Sequence, residues 1–317
     1  MAPVLFLFVM LTYLPWISFL GFDLEMENHF VVRALDRVLS VAEVDAAPFI
    51  ARSVNVMARL LTETYAKPAN PLFGHHLWES IAALIKISFD SQADKASVLD
   101  SYEGALFPLF EKILTEPQAD AYAPFVFQVM AQLIELRGSA KMPAGKVASL
   151  KERAGTMKGS YRSLLRKLTE PLYYESQGNI PALTRLLQAY IEHDPAFVAE
   201  GDNLMRTLGV FQKLVSSKVN DWLGFYILQS LTLALPVNAL DQHFKTIITV
   251  IFTRLQSSKT MQLIKSFLIY ISYFAVAHGP MAILQRIEGV QNGYTSVKVF
   301  FSLTFLFTCF LLVLLAW

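Results

Sequence analysis

Three side chains near residue 75 have types and spacing that suit metal ligation. His75 and Glu79 fall four positions apart, one turn of an α-helix, and His76 sits beside the first. Third and fourth ligands for that pair do not follow in the neighbouring sequence, so a solvated or capping role is expected and no metal or cofactor is. A second group is cationic. Arg137, Lys141, Lys146, Lys151, Arg153, Lys158, Arg162, Arg166 and Lys167 lie within 31 residues, opposed only by Glu152. Such a run could engage nucleic acid or an acidic partner, because opposite charge speeds encounter and fixes orientation. Residues 140 to 159 within it are expected to form a solvated loop that projects from the core, since charges and glycines there do not offset the cost of ordering the chain. No Gly-rich phosphate loop, Cys-x-x-Cys pair or Gly-x-Ser-x-Gly elbow occurs, so no catalytic residue is assigned and the chain is not expected to be an enzyme.

The elements that must carry these residues are helices. Apolar residues recur at helical spacing in Ile50, Val54, Met57 and Leu60; in Val126, Met130 and Leu133; in Ile180, Leu183, Leu187 and Ile191; and in Phe244, Ile247, Ile251 and Leu255. Short breaks separate the stripes: Lys67-Pro68-Ala69-Asn70-Pro71, Glu116-Pro117-Gln118, Gln177-Gly178-Asn179 and Leu235-Pro236-Val237-Asn238. Eleven or twelve helices follow, joined as antiparallel hairpins, with the second helix of successive pairs beginning near Ala47, Gly104, Tyr161, Leu208 and Phe244. That spacing wanders around the period of roughly 40 to 47 residues typical of HEAT or armadillo repeats. One pair cannot bury its apolar face alone, so the pairs must stack.

Composition agrees. With 54% hydrophobic and 17% charged residues the chain is too apolar to be disordered, and a net charge of +1 argues against nucleic-acid binding by the whole chain. The lone cysteine, Cys309, has no disulfide partner, which suits a reducing compartment.

The ends differ from the middle. Val4 to Leu20 and Val299 to Trp317 contain no charge, and the second run is long enough to cross a hydrocarbon core of about 30 Å. The expected organisation is therefore an apolar segment over 1–23, a helical-repeat region over 24–292 and a second apolar segment over 293–317. The Phe267 to Ala277 run is too short to count as a span and reads as a helix packed between neighbours.

Several stretches carry a resemblance. Tyr102-Glu103-Gly104-Ala105-Leu106-Phe107, Pro124-Phe125-Val126-Phe127-Gln128-Val129-Met130, Gly178-Asn179-Ile180-Pro181-Ala182-Leu183, Gly209-Val210-Phe211-Gln212-Lys213-Leu214 and Arg254-Leu255-Gln256-Ser257-Ser258-Lys259-Thr260 resemble the exportin-2 family of nuclear transport receptors, within the importin-β superfamily. The resemblance implies an all-α HEAT-repeat superhelical solenoid that binds importin-α with Ran-GTP and returns it from nucleus to cytoplasm. Nuclear pore proteins are further expected partners, with the nuclear envelope as an added location. The family's N-terminal arch, with the principal Ran surface, lies outside the matched stretch. Segment 146–159 reads as an insertion. It also implies that second helices line the concave face, where Arg162, Arg166, Lys167, Lys213, Lys218 and Arg254 would form a basic stripe for an acidic partner. The apolar ends depart from the family; read-through of non-coding sequence is one explanation, and a membrane-anchored helical scaffold without transport activity is the other.

Overall fold

A computed structural model describes residues 32–33, 50–65, 70–116, 121–143, 146–257 and 260–290. The apolar segments 1–23 and 293–317 thus lie outside the described residues. Among the described residues thirteen α-helices and three 3₁₀ turns have defined bounds, and there is no strand. The chain divides into two compact units, Met1–Ala148 and Ser149–Trp317, so a unit boundary falls inside the expected 24–292 region.

The first unit contains α1 (Ile50–Thr64), α2 (Pro71–Ser91), α3 (Lys95–Thr115) and α4 (Ala123–Ser139). Local chemistry sets the boundaries. Pro71 occupies the first helical position, where its missing N–H costs nothing, and the Asn70 side chain accepts from the Leu72 N–H at 3.1 Å. Asp94 caps α3 in the same way through the Ser97 N–H at 3.1 Å. Pro108 lies inside α3 and cannot donate to the carbonyl one turn earlier, a loss that the surrounding core tolerates. Helix α1 packs on α2 and α3, and α4 packs on α2 and α3, which gives two layers of alternate helices. Trp78 fills the space between them, stacked with Phe110 at 6.4 Å and Phe125 at 6.5 Å. Some polar groups in this core are paired: the Ser88 and Tyr102 hydroxyls meet at 2.6 Å, and Gln132 donates to the Ala82 carbonyl at 2.9 Å, whereas Trp78 Nε1 and Ser80 Oγ find no hydrogen-bond partner among the described residues.

The second unit begins with the single turn α5 (Leu150–Arg153) and a 3₁₀ turn at Gly159–Tyr161. It continues through α6 (Arg162–Leu168), α7 (Ile180–His193), α8 (Pro195–Ala199), α9 (Asn203–Val215) and α10 (Asp221–Ala234). The last helices are α11 (Asp241–Ser257), α12 (Met261–His278) and α13 (Pro280–Val290). Helix α9 rests on α6 and α11, and α11 on α13; in the facing layer α10 rests on α7 and α12. The two layers close most tightly between α9 and α10, where Gly224 lies so near α9 that a Cβ there would come within 3.2 Å of the Phe211 carbonyl oxygen and the Val215 nitrogen.

Of the stripes expected from periodicity, Met57 and Leu60, then Val126, Met130 and Leu133, then Ile180, Leu183, Leu187 and Ile191, then Phe244, Ile247 and Ile251 are buried, whereas Leu255 is half-buried and the Ile50 and Val54 side chains lie outside the described residues. Helix α12 is the one described helix long and apolar enough to cross a membrane, and it contains the Phe267 to Ala277 run. It packs on α10 and α13 while Ile269, Tyr273 and Val276 face outward.

Two expectations are corrected. The 140–159 segment does not project throughout. Val147 is 80% exposed, but from Ser149 onward the chain folds back onto α7. Ser149 and Glu152 form a capping box, the Gly155 N–H donates to the His193 carbonyl at 2.8 Å, and Met157 is buried. The ordering cost is offset because the backbone finds acceptors on α7 and the thioether finds a core. The second correction concerns pairing: α9 forms its tight hairpin with the helix that follows it, so it is the first helix of its pair rather than the second.

Candidate partner-binding residues

The six cations singled out from the sequence belong to the second unit, and the fold treats them differently. Arg162 opens α6 and is half exposed; its Nε donates to Asp194 Oδ2 at 2.8 Å and its guanidinium lies 5.2 Å from the Phe197 ring centre. The Asp194 hydrogen bond holds the Arg162 guanidinium above its ordinary pKa, so its charge is constant and already partnered. Asp194 is itself buried and caps α8 through the Phe197 N–H.

Arg166 and Lys167 follow on α6, Arg166 exposed and Lys167 half-buried, with no salt bridge among the described residues. Arg166 is close enough to Asp202 to help lower its pKa, after the larger effect of the hydrogen bond from Arg206. Lys213 is exposed on α9, the helix packed against α6. Lys218 is exposed too, but in the turn between α9 and α10 rather than on a helix. Neither lysine makes a salt bridge among the described residues. The fold therefore gathers Arg162, Arg166, Lys167 and Lys213 on two neighbouring helices of one layer.

Arg254 is not part of that surface. It is 6% exposed, and its Nη2 donates to Asp221 Oδ2 at 2.9 Å across the α10 and α11 helices. A buried carboxylate at the first turn of α10 is well placed for the helix dipole, and Arg254 neutralises it. This arginine holds two helices together, and the basic stripe ends before it.

The larger cationic run dissolves in the same way. Arg137 lies on α4 and donates to Glu103 at 2.6 Å and Asp100 at 2.7 Å, both on α3. Arg153 donates to Glu192 on α7 at 2.7 Å. No local pattern flags these acidic partners, which lie 32 to 39 residues away from their arginines. Lys141, Lys146 and Lys151 remain exposed.

Sequence reasoning also passed over His193, the last residue of α7. Its Nδ1 lies 2.8 Å from the Thr156 hydroxyl and its carbonyl accepts from Gly155. Burial, helped by the nearby Arg153 charge, pushes the imidazole down to about 4, so it stays neutral. The described His and Glu cluster able to face one ion, His75, His76 and Glu79, lies on α2 of the first unit.

Comparison with known proteins follows the same architecture. A family model described as CAS/CSE protein, C-terminus, matches residues 12–304 and so runs past both ends of the 24–292 span. Exportin-2 of Danio rerio is 36% identical over 267 residues, 84% of this chain and 25% of that protein. Exportin-2 of Homo sapiens is 34% identical over the same length and shares. The solved structure of the exportin Cse1 in its cargo-free, cytoplasmic state is similar with a TM-score of 0.70 and 27% identity, covering 84% of this chain and 26% of that one. The chain thus spans about a quarter of the length of these relatives. Its layered helix pairs are HEAT-type repeats, and the chain belongs to the CAS/CSE, or exportin-2, family.

Proposed function

We propose that this chain acts as part of a nuclear export receptor that holds importin-α together with Ran-GTP and returns it from nucleus to cytoplasm. The observation that carries the reading is the match to exportin-2 over 84% of the chain, joined to a shared fold. Its work in this reading is binding. In such a receptor cargo and GTPase favour one conformation, so each raises the affinity for the other. The cations Arg166, Lys167, Lys213 and Lys218, which make no salt bridge among the described residues, with the half-exposed Arg162, are the residues proposed to meet an acidic partner surface. Arg254 is excluded by its burial.

The test is titration calorimetry of the chain with importin-α, with and without Ran-GTP. Binding that weakens as salt is raised and that drops about tenfold in Arg166→Glu/Lys213→Glu is expected, because each reversal replaces attraction by repulsion at an exposed site. Ran-GTP is expected to alter the affinity little, since the chain spans about a quarter of its relatives' length and coupling requires contacts to both partners. No detectable importin-α binding would overturn the reading for this chain. Unchanged binding in the variant would move the partner surface elsewhere.

A further inference from the structure

We propose that His75, His76 and Glu79 on α2 form a binding site for a divalent transition ion of the zinc class. The three donor groups lie within 4.8 Å of one another. The helix brings them together: Glu79 is four positions after His75 and three after His76, so the carboxylate sits above both rings. Its two oxygens are already shared between them, with His75 Nε2 3.2 Å from Oε1 and His76 Nδ1 2.9 Å from Oε2. One ring presents its ε nitrogen and the other its δ nitrogen, which is how adjacent histidines can reach a single point.

The rings are also held. His75 stands edge-on to Phe125 of α4 at 5.4 Å and lies 5.2 Å from the His76 ring. Phe125 is in turn stacked on Trp78, so an aromatic platform from two helices fixes the first ligand. The His76 side chain is only 15% exposed, whereas Glu79 is 43% exposed and open to solvent. Ions of this class bind imidazole nitrogen and carboxylate oxygen at about 2.0 to 2.2 Å, which places the ligand atoms of a tetrahedral centre roughly 3.4 Å apart. The nitrogen–oxygen separations of 2.9 and 3.2 Å already approach that spacing. An ion would replace the His76–Glu79 hydrogen bond and the close His75–Glu79 contact, leaving water in the remaining position. Two nitrogens and one oxygen favour zinc, nickel or copper over calcium or magnesium, which require oxygen-rich shells.

The experiment is titration of the full chain with zinc chloride, followed by calorimetry and by the thermal midpoint. One ion should bind per chain and raise the midpoint, since the site exists only in the folded state. His76→Gln and Glu79→Gln should each weaken binding about tenfold or more while leaving the far-ultraviolet circular dichroism unchanged. Glu79 is a solvent-exposed position on an intact helix, so its variant keeps the test valid if His76→Gln unfolds. Acidification should weaken zinc binding, because the ligating nitrogens must be free of protons, and calcium chloride should produce no saturable heat. Absence of zinc binding, equal affinity in wild type and the Glu79→Gln variant, or equal affinity for calcium would each overturn the proposal.

Discussion

Arg254 and Asp221 stand 33 residues apart in the chain and 2.9 Å apart in space, as a buried ion pair between α11 and α10. Both side chains are almost wholly out of water, so each charge depends on the other. The remaining donors are less well served: Nη1 reaches the Ser257 hydroxyl at 3.4 Å, and Nε has no partner. Such a pair adds little net stability over an apolar pair of similar size, but removing one partner leaves the other charge buried alone.

Arg254→Met should therefore destabilise the second unit by about 3 to 5 kcal/mol, the cost of leaving one buried charge alone. Arg254→Met/Asp221→Leu should recover much of that loss. Urea unfolding read by circular dichroism checks both; a double variant as weak as the sum of the singles would refute the coupling.

His193 makes stability depend on pH. Its folded pKa is depressed to about 4, below the ordinary 6.5, so between these values the unfolded chain binds the extra proton. The stabilisation is fully present above about pH 6.5 and is lost as pH falls towards 4, and the shift corresponds to about 3 kcal/mol at most. His193→Gln should flatten this part of the stability profile, which thermal melts between pH 4 and 7 would reveal.

Two glycines make a matched pair of tests. A Cβ on Gly224 would come within 2.6 Å of Val215 Cγ2 and 3.2 Å of backbone atoms of α9, so Gly224→Ala should cost about 1 to 3 kcal/mol. Gly209 lies on α9 with nothing within 4 Å of such a Cβ, so Gly209→Ala should stabilise by up to about 1 kcal/mol. Opposite signs in thermal unfolding are the expected outcome.

The 149–157 segment should exchange its amides in an uneven pattern. The Gly155 N–H, bonded to the His193 carbonyl at 2.8 Å, should be protected in hydrogen exchange. Thr156→Val removes the hydroxyl contact with His193 and should lower that protection; Gly155 exchange at the rate of an unfolded peptide would contradict the docking of this segment.

What the amino-acid order determined by itself is the helical class, the buried stripes and most helix ends. These are local properties: an apolar residue every three or four positions marks a face, and Asn70-Pro71, Gln177-Gly178-Asn179 and Leu235-Pro236 stop or start a helix through their own backbone chemistry. The motifs quoted for the family resemblance were likewise legible, since they needed no spatial information. Tertiary structure alone decided the fate of the charges. Arg137, Arg153, Arg162 and Arg254 look alike in the chain, yet each meets a carboxylate brought from 32 to 39 residues away, and Arg254 ends inside the core. The same holds for residues 149 to 157, whose composition suggests a loop until α7 supplies its carbonyl and its ion pair. Charge and hydrogen bonding act over a few ångströms, and which groups come within that distance is a property of the packed helices, not of sequence neighbours.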